Sequence, residues 1–139
     1  MTGRTTNETL ILSGLTELAV GALTGWPYAL AVQDEAKVRV LGIRSVARLR
    51  QWHLDLIALG SLSVLIVAAV PDLPRHIAWP LGVSAWTNAN AFGVLTVRPD
   101  FKEHPLYQAS VSGSFAAMSW SCVALAVHAF RRDQRCIRP

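Results

Sequence analysis

Charge and cysteine are both scarce in this sequence, and each shortage narrows the class of protein. Two cysteines occur among 139 residues, Cys122 inside an apolar stretch and Cys136 near the C-terminus, so we expect no disulfide framework. Charged residues make up 16% of the chain and apolar residues 52%, whereas soluble domains carry roughly 25% charged residues. The few charges stand between the apolar stretches, a distribution typical of a membrane protein.

Motifs that identify common chemistries are also missing. The sequence contains no P-loop, no Rossmann glycine pattern and no nucleophile elbow. Its His, Cys, Asp and Glu residues match no zinc or di-metal spacing. The sequence therefore excludes the nucleotide sites, dinucleotide sites and serine-hydrolase sites that these motifs mark.

Basic residues give a formal net charge of +4, but they flank the apolar stretches and form no basic surface interleaved with aromatic residues. We therefore expect membrane lipids as partners and no nucleic acid. The basic residues are divided almost evenly between the two sides of the predicted membrane segments. The positive-inside rule consequently leaves the orientation open.

Four apolar stretches are each long enough to cross about 30 Å of hydrocarbon. We place them at residues 10–32, 53–70, 77–97 and 106–130. Because backbone groups inside a bilayer must be paired within the protein, each stretch should be a helix, and short connections make neighbouring helices antiparallel. The predicted fold is all-α: a four-transmembrane-helix antiparallel bundle, forming a single integral membrane domain over residues 1–139.

The polar segments complete this organisation. Residues 33–52 form the longest connection, where basic and apolar residues are mixed, and they are predicted to lie in the membrane interface as an amphipathic segment. Residues 131–139 form a basic C-terminal tail. Asn7 and Glu8 stand where a signal peptide needs basic residues, so we expect the first helix to remain in the mature chain.

Small residues on the first helix predict a close helix contact. Gly14, Gly21 and Gly25 share one face, and Glu17 falls on the same face. Glu17 should therefore point toward protein and not toward lipid. A carboxyl group at this depth either provides a hydrogen bond between helices or has a catalytic or ligand-binding role.

Three further polar residues stand at or within the membrane segments. His53 opens the second helix next to Trp52, where it is either an interfacial residue or a ligand for a metal or haem. Asn88 and Asn90 in the third helix are separated by about 200° around the helix axis. The two amides therefore cannot face one site.

Two short runs and a proline carry a family resemblance. His53-Leu54-Asp55 opens an apolar helix that ends at Pro71, and Trp86-Thr87-Asn88 follows in the third helix. In this order they resemble the styrene oxide isomerases and hydroxylaminobenzene mutases, small four-helix membrane proteins. The mutases carry His-Leu-Glu at the start of the second helix, and both groups carry an aromatic-x-Asn in the third. The resemblance extends from about Arg44 to Phe130.

The resemblance implies a homotrimer in which His53 is the axial ligand of a haem b near the subunit interfaces. The ferric iron would act as a Lewis acid on the oxygen of an apolar, aromatic substrate and isomerise an epoxide to a carbonyl compound. Asp55 would orient the imidazole or contact the haem edge. The expected location is the bacterial inner membrane. With Glu17 included, the candidate residues are Asn88, Asp55 and Glu17 for catalysis, His53, Trp86, Leu59 and Phe92 for cofactor contact, and His53 for the metal.

The sequence departs from the family pattern at three polar positions. Leu59 stands where the isomerases have an asparagine, Phe92 where they have a tyrosine, and Ser84 where an aspartate is expected. A different substrate, a divergent mutase or a relative without catalysis all fit these departures. Outside the family, two other functions stay open: a non-catalytic membrane scaffold or assembly subunit, and an oligomeric transporter of a small solute or protons based on Glu17, Asn88 and Asn90.

Overall fold

The computed structural model describes residues 5–137. The chain is all-α, and its four main helices pack antiparallel, as the sequence predicts. The elements in chain order are α1 (Thr6–Gln33), α2 (Glu35–Arg39), α3 (Val46–Ala69), α4 (Arg75–Val97), a 3-10 turn (Pro99–Glu103) and α5 (Pro105–Ile137).

The helices extend further than the apolar stretches that predicted them. One large change is at the start of the second predicted helix: α3 begins at Val46 and not at His53, behind the cap of Ser45, whose hydroxyl accepts from the Arg48 N–H. Residues 46–52, the last third of the predicted interfacial connection, therefore form the first two turns of α3. At the other end of the chain, α5 continues as far as Ile137 through most of the predicted tail, and residues 138–139 lie outside the described residues. Hydropathy marks where a helix leaves the membrane, whereas polar residues with good helix propensity let it continue.

Three of the four main helices are long and apolar enough to cross a membrane: Thr6–Gln33, Val46–Ala69 and Pro105–Gln134. This suggests an integral membrane protein. The helix outside this set is α4, in which Asn88 and Asn90 interrupt the apolar sequence. The structure therefore supports three candidate spans where the sequence predicts four.

Packing explains how α4 can carry two asparagines, Asn88 and Asn90, in the middle of its length. It contacts α1, α3 and α5, whereas α5 packs chiefly on α4 and on the 3-10 turn. The arrangement is a core of α1, α3 and α4 with α5 on the outer side of α4. A helix covered on three sides meets less lipid, so its amides cost less there than on a lipid-facing helix.

Two glycines set the closest contact, between α1 and α3. A Cβ atom added to Gly14 would lie 2.6 Å from the Gly60 carbonyl oxygen, and one added to Gly60 would lie 2.6 Å from the Gly14 carbonyl oxygen. The two backbones therefore touch at this crossing, as in the small-residue contacts of membrane helices.

Polar contacts join the helices at the end of the bundle that contains the α3–α4 turn. The Asn7 amide donates to the Pro71 carbonyl oxygen. On the opposite side of the turn, Arg132 of α5 donates to Asp72 at 2.6 Å, and His128 Nε2 lies 3.8 Å from the same carboxylate. This end thus ties α5 to the turn that connects α3 with α4.

We expect Gly60→Ala to destabilise the protein. The new methyl group meets a backbone oxygen, and overpacking of this kind costs roughly 1–3 kcal/mol, more than the gain of about 1 kcal/mol in helix propensity. The matched control is Gly113→Ala on α5, where an added Cβ has no atom within 4 Å. The midpoint of heat-induced loss of the monodisperse peak in detergent should fall for Gly60→Ala and stay or rise for Gly113→Ala. Equal shifts would contradict the backbone contact.

Candidate functional site

His53 lies on α3 where that helix faces α1. Its Nδ1 atom is 2.8 Å from the Gly21 carbonyl oxygen and 3.3 Å from the Thr24 hydroxyl. The Thr24 hydroxyl itself donates to the same carbonyl oxygen at 2.7 Å. Because a carbonyl oxygen only accepts, Nδ1 must carry the proton in this arrangement.

This hydrogen bond determines the chemistry of the other ring nitrogen. A neutral imidazole with its proton on Nδ1 has a free lone pair on Nε2, the form in which histidine binds metals. Among the described residues Nε2 has no hydrogen-bond partner, and it is not among the buried atoms that lack one. His53 therefore presents an oriented nitrogen ligand at the α1–α3 face.

Two neighbours on α1 fix the position of the ring. A Cβ atom added to Gly25 would lie 3.1 Å from His53 Cε1, so the ring occupies the space that a side chain at Gly25 would take. Tyr28 stacks one turn further on, with ring centroids 6.0 Å apart and planes at 26°. Gly21, Gly25 and Tyr28 thus follow one another along a single helix face that holds the imidazole.

Trp52 holds the start of α3 against α4. A Cβ atom added to Gly93 would lie 2.8 Å from Trp52 Cε2, and the indole Nε1 is buried without a hydrogen-bond partner among the described residues. Successive helix residues point about 100° apart. With Trp52 against α4, its neighbour His53 is directed toward α1.

The structure places the other α3 candidates away from the imidazole. Asp55 Oδ1 accepts from the Gln51 amide at 2.7 Å, and Leu59 is half-buried. In the described residues the Gly21 carbonyl, and not Asp55, makes the hydrogen bond to His53. Sequence reasoning missed Gly21 and Thr24 as partners of His53, although Gly21 belonged to the small-residue face that predicted the contact.

Trp86 and Asn88 lie on different faces of α4, whereas Phe92 follows Asn88 by one turn. Trp86 donates from Nε1 to the Ser13 hydroxyl at 2.7 Å, toward α1. Asn88 is half-buried with a buried Oδ1 atom that has no partner among the described residues. Phe92 lies under Arg48, whose guanidinium carbon is 5.6 Å from the ring centroid.

Within one chain, His53, the predicted metal ligand, and Trp86, a predicted cofactor contact, do not lie together. Trp86 meets α1 at Ser13, whereas His53 meets it at Gly21, eight residues later or about 12 Å along the helix. The site residues that the sequence groups by motif are thus distributed over different levels of the bundle.

Glu17 is the most deeply buried of the candidates. Its exposed fraction is 1%, and neither carboxyl oxygen has a hydrogen-bond partner among the described residues. The residue packs at the Gly14–Gly60 crossing, since a Cβ atom on Gly60 would lie 2.9 Å from the Glu17 Cβ. The side chain points into protein, as predicted, but the predicted hydrogen bond to a neighbouring helix is not among the described contacts.

Cavities flank α4 on two sides. One of about 320 Å³ lies between α1 and α4, with Trp79 and Trp86 in its lining. Another of about 240 Å³ lies between α4 and α5, lined in part by Asn90 and Tyr107. His53 lines neither of them. Within the described residues no group of three or more His, Cys, Asp or Glu side chains could hold a metal ion, so a metal at His53 would need other ligands.

Comparison with known proteins adds no family to this description. No protein-family model, no curated protein and no solved structure matches the chain. The resemblance to the isomerases and mutases therefore rests on the residues quoted above.

Replacing Glu17 tests whether its carboxyl group is needed for the fold. A buried polar group without a partner costs roughly 1–3 kcal/mol, so Glu17→Leu should raise the thermal midpoint in detergent. The control is Glu17→Gln, which keeps unpaired polar atoms and should give no comparable gain. A fall in stability with leucine would show that the carboxyl group has a partner in the assembled protein.

Proposed function

We propose that this chain is a haem-dependent membrane isomerase or mutase with His53 as the axial ligand of haem b. The observation that carries this proposal is the hydrogen bond from His53 Nδ1 to the Gly21 carbonyl. It fixes the tautomer whose Nε2 atom is free to bind iron. The motif resemblance agrees with it, since His53 is the residue that matches the family ligand.

The residues around His53 fit a porphyrin better than a bare metal ion. A porphyrin supplies four ligands of its own, so one histidine is enough, whereas the described residues offer no cluster for a free ion. Two exposed apolar side chains lie beside the site. Trp26 follows Gly25 and is 74% exposed, and Leu54 follows His53 and is 45% exposed. Such apolar side chains would cover the face of a flat cofactor. Arg50, exposed one turn before His53, would supply a cation for a propionate group.

A ferric haem held at His53 would supply Lewis-acid chemistry at the oxygen of an epoxide or hydroxylamine. The protein contributes the orientation of the imidazole, through Gly21 and Thr24, and an apolar surface that excludes water. The substrate class that fits this surface is a small apolar aromatic compound. Leu59 and Phe92 offer no polar group to the substrate. A proton would therefore have to be positioned by one of the three predicted catalytic residues, Asn88, Asp55 or Glu17.

A complete pocket requires a second copy of the chain. The α1–α4 cavity has tryptophan walls but does not reach His53, and the exposed apolar positions beside His53 lie on the outside of one copy. We therefore place the haem between copies of a homotrimer. In this arrangement α4 is a fourth membrane crossing, covered by the other helices, and the membrane is the bacterial inner membrane.

The other two functions receive less support from the packing. A scaffold would need a small-residue face open to other proteins, but Gly14, Gly21 and Gly25 on α1 pack against α3 of the same chain. A transporter was favoured by Glu17, Asn88 and Asn90. Asn90 donates to the Trp86 carbonyl of its own helix, which is an ordinary structural contact for an amide in a membrane helix.

Haem binding at His53 is tested by absorption spectroscopy. Protein purified in detergent after expression with added haem should show a Soret band, and His53→Ala should abolish it. His76→Ala is the matched control, because His76 is an exposed histidine in the first turn of α4, at the other end of the bundle from His53, and should leave the band unchanged.

A second variant separates the ligand from its orientation. Gly25→Leu places a side chain where the His53 ring lies, and we expect haem affinity to fall roughly 10–100-fold, the range for loss of a group that orients a metal-ligating histidine.

Conversion of an aryl epoxide or an aryl hydroxylamine by the haem-loaded protein would then define the reaction. A Soret band that His53→Ala leaves intact would overturn the proposal.

A further inference from the structure

A basic cavity lies at the end of the bundle where α3 begins and α4 ends. Its volume is about 520 Å³, and it is lined by Arg44, Arg98, Asp100, Phe101 and His104. These residues come from the α2–α3 connection and from the segment between α4 and α5. None of them belongs to the candidate residues around His53.

Backbone hydrogen bonds hold the two arginines in place. The N–H groups of Arg44 and Ser45 both donate to the Thr96 carbonyl oxygen, at 2.9 and 3.2 Å. Arg98 follows Thr96 by two residues and caps α4, with its N–H donating to the Val94 carbonyl at 2.8 Å. The start of α3 and the end of α4 are thereby fixed to each other, and with them the two guanidinium-bearing residues.

His104 adds a hydrogen-bond donor of defined polarity. Its Nδ1 atom accepts from the Leu106 N–H at 3.2 Å, so the neutral ring carries its proton on Nε2. The ring stacks on Phe101, with centroids 4.8 Å apart and planes at 14°. An imidazole held in this way offers one N–H donor to the cavity that it lines.

The charge of the cavity is positive. Its lining contains two arginines and one aspartate, Asp100, and in the described part of the chain neither arginine forms an ion pair with a carboxylate oxygen within 4 Å. Guanidinium groups without an internal partner match the planar, two-oxygen recognition of phosphate.

We propose that this cavity binds a phosphate group, and that at this position the phosphate is the headgroup of an anionic phospholipid. The cavity lies where α1 and α3 meet the end of their apolar sequences, which is the level of lipid headgroups. Basic pockets between membrane helices at that level are known binding sites for anionic headgroups. The proposal does not depend on haem and can be tested on the haem-free protein.

The test compares two double variants with equal loss of charge. Arg44→Gln with Arg98→Gln removes both cavity guanidinium groups. Lys37→Gln with Arg39→Gln removes two exposed cations of α2, which pair with Asp34 at the N-cap of α2 and with Glu35. Each delipidated protein is titrated with short-chain phosphatidylglycerol, and bound lipid is counted by native mass spectrometry, with short-chain phosphatidylcholine and inorganic phosphate as separate probes.

We expect the cavity double variant to bind phosphatidylglycerol at least tenfold more weakly than the unchanged protein, and the α2 double variant to bind it as well as the unchanged protein. Asp100→Asn, which removes the opposing carboxylate, should strengthen binding. If inorganic phosphate at equal concentration displaces the lipid, the cavity is a phosphate site but its ligand is free phosphate, and the lipid part of the proposal is overturned. Equal losses in both double variants, or none in the cavity variant, would overturn the proposal. If the cavity double variant is not monodisperse, the Arg98→Gln single variant replaces it in the same comparison.

Discussion

The contact between the backbones of α1 and α3 at Gly14 and Gly60 is the constraint on which the other features of this molecule depend. Only glycine lets two helices approach so closely, and the approach brings carbonyl groups of α1 within reach of α3 side chains. Two turns further along, the Gly21 carbonyl meets the His53 imidazole because the helices are already in contact below it. The same crossing buries Glu17 between the two helices.

The position of α4 is the second constraint. Its asparagine side chains, Asn88 and Asn90, would be costly on a helix surrounded by lipid. Contacts with α1, α3 and α5 reduce that cost and also direct the side chains. Trp86 is directed to a hydroxyl on α1, and Gly93 receives the Trp52 ring. Because Trp52 packs against α4 at Gly93, the adjacent His53 is directed toward α1, so a packing contact on α4 helps to set the orientation of the His53 ring.

Sequence alone could predict the all-α class, the antiparallel order and the inward direction of Glu17, because these follow from hydropathy and from small-residue spacing. It could not predict that α3 begins at Val46. Residues 46–52 include two arginines and lie before the apolar stretch, so hydropathy does not show that the helix has already begun there. The Gly21 carbonyl was equally hidden, because a backbone oxygen has no signature in the sequence. The separation of Trp86 from His53 depends on the offset between α1 and α4, which neither helix encodes by itself.

The small buried surface of α5 has a consequence for which helix of the bundle can move most easily. Its buried side chains are the small hydroxyls of Ser114 and Ser121, one of which donates to the Ser84 carbonyl of α4. The interhelical packing of α5 falls chiefly on α4, whereas the glycine crossing joins α1 to α3. Movement of α5 on the surface of α4 would therefore leave the α1–α3 crossing and the His53 contact unbroken.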